Sequence, residues 1–266
     1  MIELEDKVIW ITGASSGIGE ALAYELTKKG CKLILSARRI EELERVKSSC
    51  PESAQSGIAI LPLDLAAADS LQLTTEAAIQ LFGRIDILVN NGGISQRSLV
   101  KDTDLGVHRK LMEVNYFGTI AITRHLIAHF MERKQGMFAV VSSLVGKFGT
   151  PYRSGYAASK HALHGFFDSL QAELYEHNIR VCMICPGFVK TDVSKNALTE
   201  KGEKFHKMDQ AQANGMAADQ CARKIIKAIQ SKRYETYIGG KEKMGVYLKR
   251  YAPKLFNKVV RKMRVR

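Results

Sequence analysis

The sequence predicts a single α/β domain built on a doubly wound, central parallel sheet. Three observations carry this expectation. Short apolar runs alternate with amphipathic helical segments along most of the chain, the pattern of parallel strands joined by crossover helices. The first run, Lys7–Ile11, passes at once into a glycine-rich turn and then a helix, the order a phosphate-binding turn requires. Polar and glycine-bearing segments recur just after the strand-like runs, where open α/β sheets carry their functional loops. Together they describe a Rossmann arrangement over residues 1–240, followed at 241–266 by a basic amphipathic C-terminal helix.

With 266 residues, 45% of them hydrophobic, the chain suits one large domain with a sizeable core. No run reaches the ~18 apolar residues of a membrane-spanning helix. The N-terminus enters a strand almost directly, leaving no room for a secretory leader, so a cytoplasmic protein is expected. The five cysteines (Cys31, Cys50, Cys182, Cys185 and Cys221) are odd in number and scattered. Cys182 and Cys185 lie three apart in a strand-like run and point to opposite faces, which disfavours a shared metal or a bridge. The histidines, among them His161, His164 and His206, show no metal spacing backed by a third ligand, so no metal is expected. The net charge of +13 is unevenly placed: Lys241–Arg266 holds ten Lys/Arg and one Glu, leaving only +4 for the rest. A body with so little surplus charge gives no reason to expect nucleic-acid binding.

In chain order, the turn after the first strand reads Thr12-Gly13-Ala14-Ser15-Ser16-Gly17-Ile18-Gly19. Gly13 permits the tight turn, Gly17 lets the backbone approach a pyrophosphate, and Gly19 lets the helix pack closely on the sheet. The free N–H groups at the helix start then attract the anion. The spacing GxxxGxG departs from the commoner GxGxxG, and a glycine-rich turn without a ligand is the bland alternative. A second strand, Lys32–Ala37, ends at Arg38 and Arg39. An NAD-type site carries an acid about twenty residues past the glycines, on the ribose hydroxyls. This chain has Ser36, Ala37, Arg38 and Arg39 there. A guanidinium grips a 2′-phosphate in bidentate fashion, which favours NADP(H) over NAD(H). The alternative is a solvated basic pair, although a positive charge at a helix start opposes the macrodipole. Further strands are expected at Ile58–Leu63, Arg84–Val89 and Ile179–Cys185, with helices at Ala66–Phe82 and Leu105–Glu132.

The stretch Ser143–Lys160 carries the chemistry. Tyr156 and Lys160 are four residues apart in a segment with apolar residues at helical spacing, a helix of about five turns. Residues i and i+4 share a helix face, so the phenol and the ammonium project into the same space. A phenol normally titrates near ~10, and lowering it by ~3 units takes about 4 kcal/mol of differential interaction, which a nearby ammonium supplies. Ser143 ends the apolar run MFAVVSS, placed so that its hydroxyl can bond a carbonyl while the Tyr delivers a proton. An isolated YxxxK is more often a surface helix pair, and it is the company of the other motifs that reverses this.

The Ser, the YxxxK and the TGxxxGxG turn, in this order, resemble the short-chain dehydrogenase/reductase family over about Leu4 to Gly240. The segment NNGGISQRSL resembles the retinal short-chain dehydrogenase/reductase branch, the member-seven type. The resemblance implies an NADP(H)-dependent carbonyl reductase or alcohol dehydrogenase working on hydrophobic carbonyls such as retinoids, steroids or quinones. It assigns Thr12, Gly13, Ser15, Ser16, Gly17, Ile18 and Gly19 to the pyrophosphate turn, and Arg38 ahead of Arg39 to the 2′-phosphate. Asp64 and Leu65 fall beside the adenine, although Asp64 also suits helix capping. Asn91 and Gly92 form the turn after the fourth strand, where the family usually has NNAG and this chain has a glycine for the alanine. Asn115 is implied to hold a relay water through a local irregularity in its helix, with an Asn–backbone bond as the alternative. Pro186, Gly187, Val189 and Thr191 would surround the nicotinamide, and Lys160 would bind its ribose. A homodimer or homotetramer through the helices of Asn115 and Tyr156 is also implied. The polar, aperiodic segment from Asp192 to Ala217 reads as a substrate lid. A catalytically silent NADP-sensing regulator on the same fold is the alternative function, against which the intact Asn115–Ser143–Tyr156–Lys160 set argues.

In the tail, Tyr247, Tyr251, Leu255, Val259 and Met263 recur every fourth residue among basic neighbours. Pro253 suits a first helical turn but breaks a helix already under way. Two readings stand side by side: contact with a membrane surface, or an apolar stripe packed on its own subunit.

Overall fold

The computed structural model describes residues 1–262. In chain order it runs β1 (Val8–Thr12), α1 (Gly17–Thr27), β2 (Lys32–Ser36), α2 (Ile40–Ser48), α3 (Glu52–Gln55), β3 (Ile58–Ile60) and α4 (Leu71–Phe82). There follow β4 (Ile87–Asn90), α5 (Leu105–Met112), α6 (Gly118–Arg133), β5 (Gly136–Val141), α7 (Ser154–Glu173) and β6 (Ile179–Pro186). The chain closes with β7 (Val189–Lys190), α8 (Gln210–Ala213), β8 (Met216–Ala217), α9 (Ala218–Gln230), β9 (Glu235–Ile238), α10 (Met244–Tyr251) and α11 (Pro253–Val260). Seven strands pair in parallel in the order β3-β2-β1-β4-β5-β6-β9. The winding reverses between β1 and β4, and the crevice beyond the carboxyl ends there is where ligands bind in such sheets.

Alternation along each strand decides which residues meet which helices. Ile9, Ile11, Leu33 and Leu35 face one side and are buried with Leu22 and Leu26 of α1 and Ile225 and Ile229 of α9. Val8, Trp10, Ile34 and Leu88 face the other and pack with Leu126 and Phe130 of α6 and Phe167 of α7. The one Trp of the chain keeps its indole N–H satisfied in this core by donating to Ser36 Oγ at 2.8 Å.

Several elements differ from expectation, among them α4, which begins at Leu71 and not at Ala66, and β4, which begins at Ile87 and not at Arg84. β3 ends at Ile60, short of Leu63, because Pro62 has no N–H, yet Leu61 and Leu63 still donate to Leu35 and Ala37. β9 completes the sheet edge with a run, ETYI, that is mostly half-buried and polar and so carries no apolar-strand signal. The tail is not one helix. Pro253 is the first residue of α11, its missing N–H cannot extend α10, and the chain breaks at Ala252. The residues that pack on the body are Phe256, buried against Phe148 at 5.3 Å between rings, with Val246, Leu248 and Val260 partly buried beside it. The stripe picked out by its four-residue repeat faces outward instead, with Tyr247, Tyr251, Leu255 and Val259 all exposed. Met263 lies outside the described residues.

Candidate active site

The switch point is closed by hydrogen bonds between the ends of β1 and β4. Thr12 Oγ1 accepts from the backbone N–H groups of Asn91 and Gly92 at 3.0 and 2.9 Å. Asn91 Nδ2 donates to the carbonyls of Thr12 and Gly13 at 2.9 and 3.2 Å. Gly13 and Gly17 take φ of +65° and +61°, a left-handed geometry that other residues rarely adopt. A Cβ on Gly17 would stand 3.1 Å from Thr191 Cγ2, so Thr191 lies directly over the turn. A Cβ on Gly19 would collide with the Gly13 carbonyl, which is why the helix can lie this close. Ser16 occupies the N-cap of α1 without using its side chain, and Ile18 packs inward on the core. The site therefore offers a bare-backbone cradle at a helix start, which fits a dinucleotide pyrophosphate. Gly92 has a local explanation: a methyl there would come within 2.7 Å of Leu65 Cδ1, and Leu65 fills that space.

At the adenosine end the two arginines part company. Both are exposed, but it is Arg39 whose Nη2 donates to Ser15 Oγ, at 3.2 Å. Arg45 was not foreseen; from α2 its Nη1 pairs with Glu20 at 2.8 Å and its Nη2 reaches Ser15 O at 3.5 Å. Its only sequence signal was a helical position one turn and a half beyond Arg39. Asp64 accepts from the Ala66 N–H at 3.0 Å in a local turn and caps no helix, because the expected helix start at Ala66 is displaced and α4 begins only at Leu71.

The catalytic candidates converge from β5, α7 and the α5–α6 junction. Ser143 follows β5, donates to Pro186 O at 3.3 Å and faces the Tyr156 phenol. Lys160 is buried, donates to Val141 O at 2.9 Å, and holds Nζ 5.9 Å from the Tyr156 ring centroid. Burial pushes Lys160 down to about 8 and raises Tyr156 above the ordinary phenol range. Against burial, the influences that favour the phenolate are Arg153 first, then Ser143, then Arg97. Asn115 sits at full burial in a π-helical turn, Glu113–Phe117, between α5 and α6, so the helix is irregular where the resemblance implied. Its amide clamps Ile94, accepting from its N–H at 2.8 Å and donating to its O at 2.9 Å, and donates to Ser159 Oγ at 2.9 Å. That is the Asn–backbone bond weighed as the alternative, and it fixes the loop beyond Gly92 against α7.

Beyond β6, Gly187 donates its N–H to Ile238 O at 2.7 Å and packs on Glu242. Val189 begins β7, which pairs with β8, so the 192–217 segment is returned to the site at both ends. That segment is tied down, chiefly where Asp209 enters a buried ion pair with Arg97 at 2.6 Å. Neither Arg97, Arg153 nor Asp209 carries a pairing signal in the sequence, since 112 positions separate Arg97 from Asp209. His164 also gains a third neighbour the sequence did not show: His164, Cys185 and Glu235 bring their ligand atoms within 4.8 Å of one another. The carboxylate there already pairs with Lys147 at 2.5 Å, and burial pushes the Cys185 thiol up, so the cluster is a polar seam behind Lys160.

A glycine cradle at the switch point of a parallel sheet, with a Ser, a Tyr and a Lys beside it, defines a nicotinamide-dinucleotide oxidoreductase. The family model described as short chain dehydrogenase matches residues 7–202, and the chain belongs to that family, whose members act on CH–OH groups. Within it the chain groups with the member 7 branch: it is 46% identical over 256 residues to human "Dehydrogenase/reductase SDR family member 7", covering 94% of this chain and 76% of that one. Among solved structures, a short chain dehydrogenase/reductase from Burkholderia phymatum in complex with NAD superposes with a TM-score of 0.85 at 22% identity, covering 96% of each chain. One from Burkholderia cenocepacia in complex with NADP gives 0.79 at 22% identity, covering 97% of this chain and 99% of that one.

Proposed function

We propose that this protein is an NADP(H)-dependent carbonyl reductase or alcohol dehydrogenase for hydrophobic ketones, aldehydes, retinoids, steroids or quinones. The observation that carries the reading is the grouping of Ser143, Tyr156 and Lys160 beside a cradle whose outer rim holds the Arg39 guanidinium against Ser15. Bound in that cradle, a nicotinamide supplies hydride exchange with the carbonyl carbon. Thr12, Gly13, Gly17, Gly19, Asn91 and Thr191 would hold the dinucleotide, and Arg39, with Arg38 and Arg45 nearby, would meet a 2′-phosphate. In reduction Tyr156 donates its proton to the carbonyl oxygen while the Ser143 hydroxyl bonds the same oxygen. Lys160 would bind the nicotinamide ribose, and Asn115 keeps the Ile94 loop in place for the relay. Apolar substrates suit the surroundings of Tyr156, which include Leu144, Val145, Phe148, Leu111 and Leu198.

The same reading makes residues 1–240 the catalytic domain and 241–266 an appendage at its edge. Exposed Phe117 beside Asn115 supports a homodimer or homotetramer through the helices of Asn115 and Tyr156. A cytoplasmic location, peripheral at a membrane surface through the tail, completes it, and the exposed apolar stripe among the tail's cations is its support. The sensor alternative has nothing in its favour, because Tyr156 and Lys160 are both present, the ammonium buried and 5.9 Å from the ring centroid of the half-buried phenol.

The test is cofactor oxidation with NADPH and with NADH across quinones, diketones, retinal and ketosteroids. Turnover that prefers NADPH and falls by at least ~10²-fold in Tyr156→Phe is expected. Equal rates with NADH would remove the role given to Arg39, and tight NADPH binding without turnover would restore the sensor.

A further inference from the structure

The helix that carries Tyr156 begins without a cap of its own. Ser154, Gly155 and Tyr156 are the first three residues of α7, so their N–H groups find no acceptor within the helix. An N-cap side chain ordinarily accepts from the second and third of these. Here the N-cap is Arg153, whose guanidinium has only donors and makes no capping bond. Gly155 weakens the turn further, since glycine is among the poorest helix formers. A phenol on such a turn would move with it, and helix ends fray.

The missing acceptor comes from 59 positions earlier in the chain. Gln96, in the loop after β4, is fully buried, and its Oε1 accepts from the N–H groups of Gly155 at 2.8 Å and Tyr156 at 3.4 Å. Backbone N–H groups only donate, which fixes the end of the amide that faces them. The other end, Nε2, donates to Ser98 Oγ at 3.0 Å and Thr103 Oγ1 at 3.2 Å. A Cβ on Gly155 would stand 3.2 Å from Gln96 Oε1 and 2.6 Å from His108 Nδ1, so the glycine lets the loop and α5 come this close. The Tyr156 carbonyl is held from the same loop. It accepts from Ser159 Oγ at 2.9 Å, and Ser159 Oγ accepts from Asn115 Nδ2, the amide that clamps Ile94. Gln96 is itself steadied by a parallel bridge to Leu198 of the 192–217 segment.

We propose that Gln96 is a positioning residue for proton transfer by Tyr156: it caps α7 from a distant loop and so fixes the turn that carries the phenol. The role rests on Tyr156 as the proton donor, but its first test needs neither substrate nor cofactor. With 3-fluorotyrosine placed at position 156 of the full chain, the fluorine resonance reports directly on the phenol. The parent gives one narrow line; in Gln96→Leu the line shifts and broadens at least about twofold, and in Gln96→Glu, which keeps the acceptor, it returns to the parent. The second test is diacetyl reduction with NADPH, in which Gln96→Leu lowers kcat about 10-fold while the Kd for NADPH stays within about twofold. A folded Gln96→Leu with the parent's line overturns the proposal. So does a Gln96→Glu that behaves like Gln96→Leu, or an unchanged kcat beside a displaced line. If Gln96→Leu does not fold, Gln96→Asn decides, because its amide falls one methylene short of the N–H groups, and a parent-like line there overturns the proposal equally. A parent protein that reduces no carbonyl counts against the enzyme reading alone, since the fluorine line reads the phenol without turnover.

Discussion

His164 shows how far one residue's surroundings can depart from what its spacing implies. Its Nε2 meets Ser142 Oγ at 3.0 Å, and its Nδ1 is buried without a hydrogen bond, 3.5 Å from Glu235. Burial, reinforced by the Lys147 cation, pushes it down to about 4. The unfolded chain takes up this proton near ~6.5 and the folded one only near 4, so the contribution is complete above ~6.5 and is lost as pH falls between the two values. Urea unfolding at about pH 7 and about pH 5 should therefore show a loss on the order of 2 kcal/mol that His164→Gln removes. An identical pH dependence in the variant would mean that other groups carry the acid limb. At this scale the residue types of the site were legible and their partners were not. Tyr156 and Lys160 are tied by helical spacing alone, whereas Arg39 rather than Arg38 reaches Ser15 because of how α2 leaves β2.

The elements follow local rules where the rules are strong. Apolar runs became the buried strands, and the helix carrying Asn115 does break into a π turn at that residue. Where the signal was weak the structure decided, as at β9, whose half-buried edge gives a mixed pattern. The tail belongs to this scale too. Its four-residue repeat marks a stripe that turns by roughly 40° per step on a helix, so it cannot stay against one surface. Packing selects Phe256 instead. Phe256→Ala should release α10 and α11 from the body, because a buried Phe truncated in a core costs about 3–5 kcal/mol and this cluster has little else to hold the tail. Limited trypsin digestion is expected to cut rapidly within residues 249–262 of the variant while the body stays intact. Unchanged protection would show that the contacts of Tyr237 with Tyr247 and of Glu242 with Gly187 hold the tail unaided.

For the molecule as a whole, the uneven charge is the leading feature. Nine of the thirteen net positive charges lie after Gly240, beside exposed Tyr247, Tyr251, Leu255 and Val259. Each cation near an anionic surface contributes about 1 kcal/mol, and the exposed side chains add apolar burial. The full chain should co-sediment with vesicles containing phosphatidylserine but not with purely zwitterionic ones, less so at high salt. Tyr251→Ser with Leu255→Ser should weaken this without changing turnover of a soluble carbonyl. Binding that is indifferent to these changes and to deletion after Gly240 would place any membrane contact elsewhere. Because α10 and α11 pack through Phe256 on the cluster that includes Val145 and Tyr156, the same surface lies at the edge of the proposed active site.

By itself the sequence determined the succession of strands and helices, the glycine turn, the i and i+4 pairing of Tyr156 with Lys160, and the segregation of charge. These are short-range properties, dictated by backbone periodicity and side-chain type. Only the tertiary structure decided the strand order, the buttoning of Asn91 to Thr12, and the placing of Asp209 between Arg97 and Arg153. Those contacts join residues 79, 112 and 56 positions apart, and packing of the two faces of the sheet, which no local pattern encodes, is what brings them together.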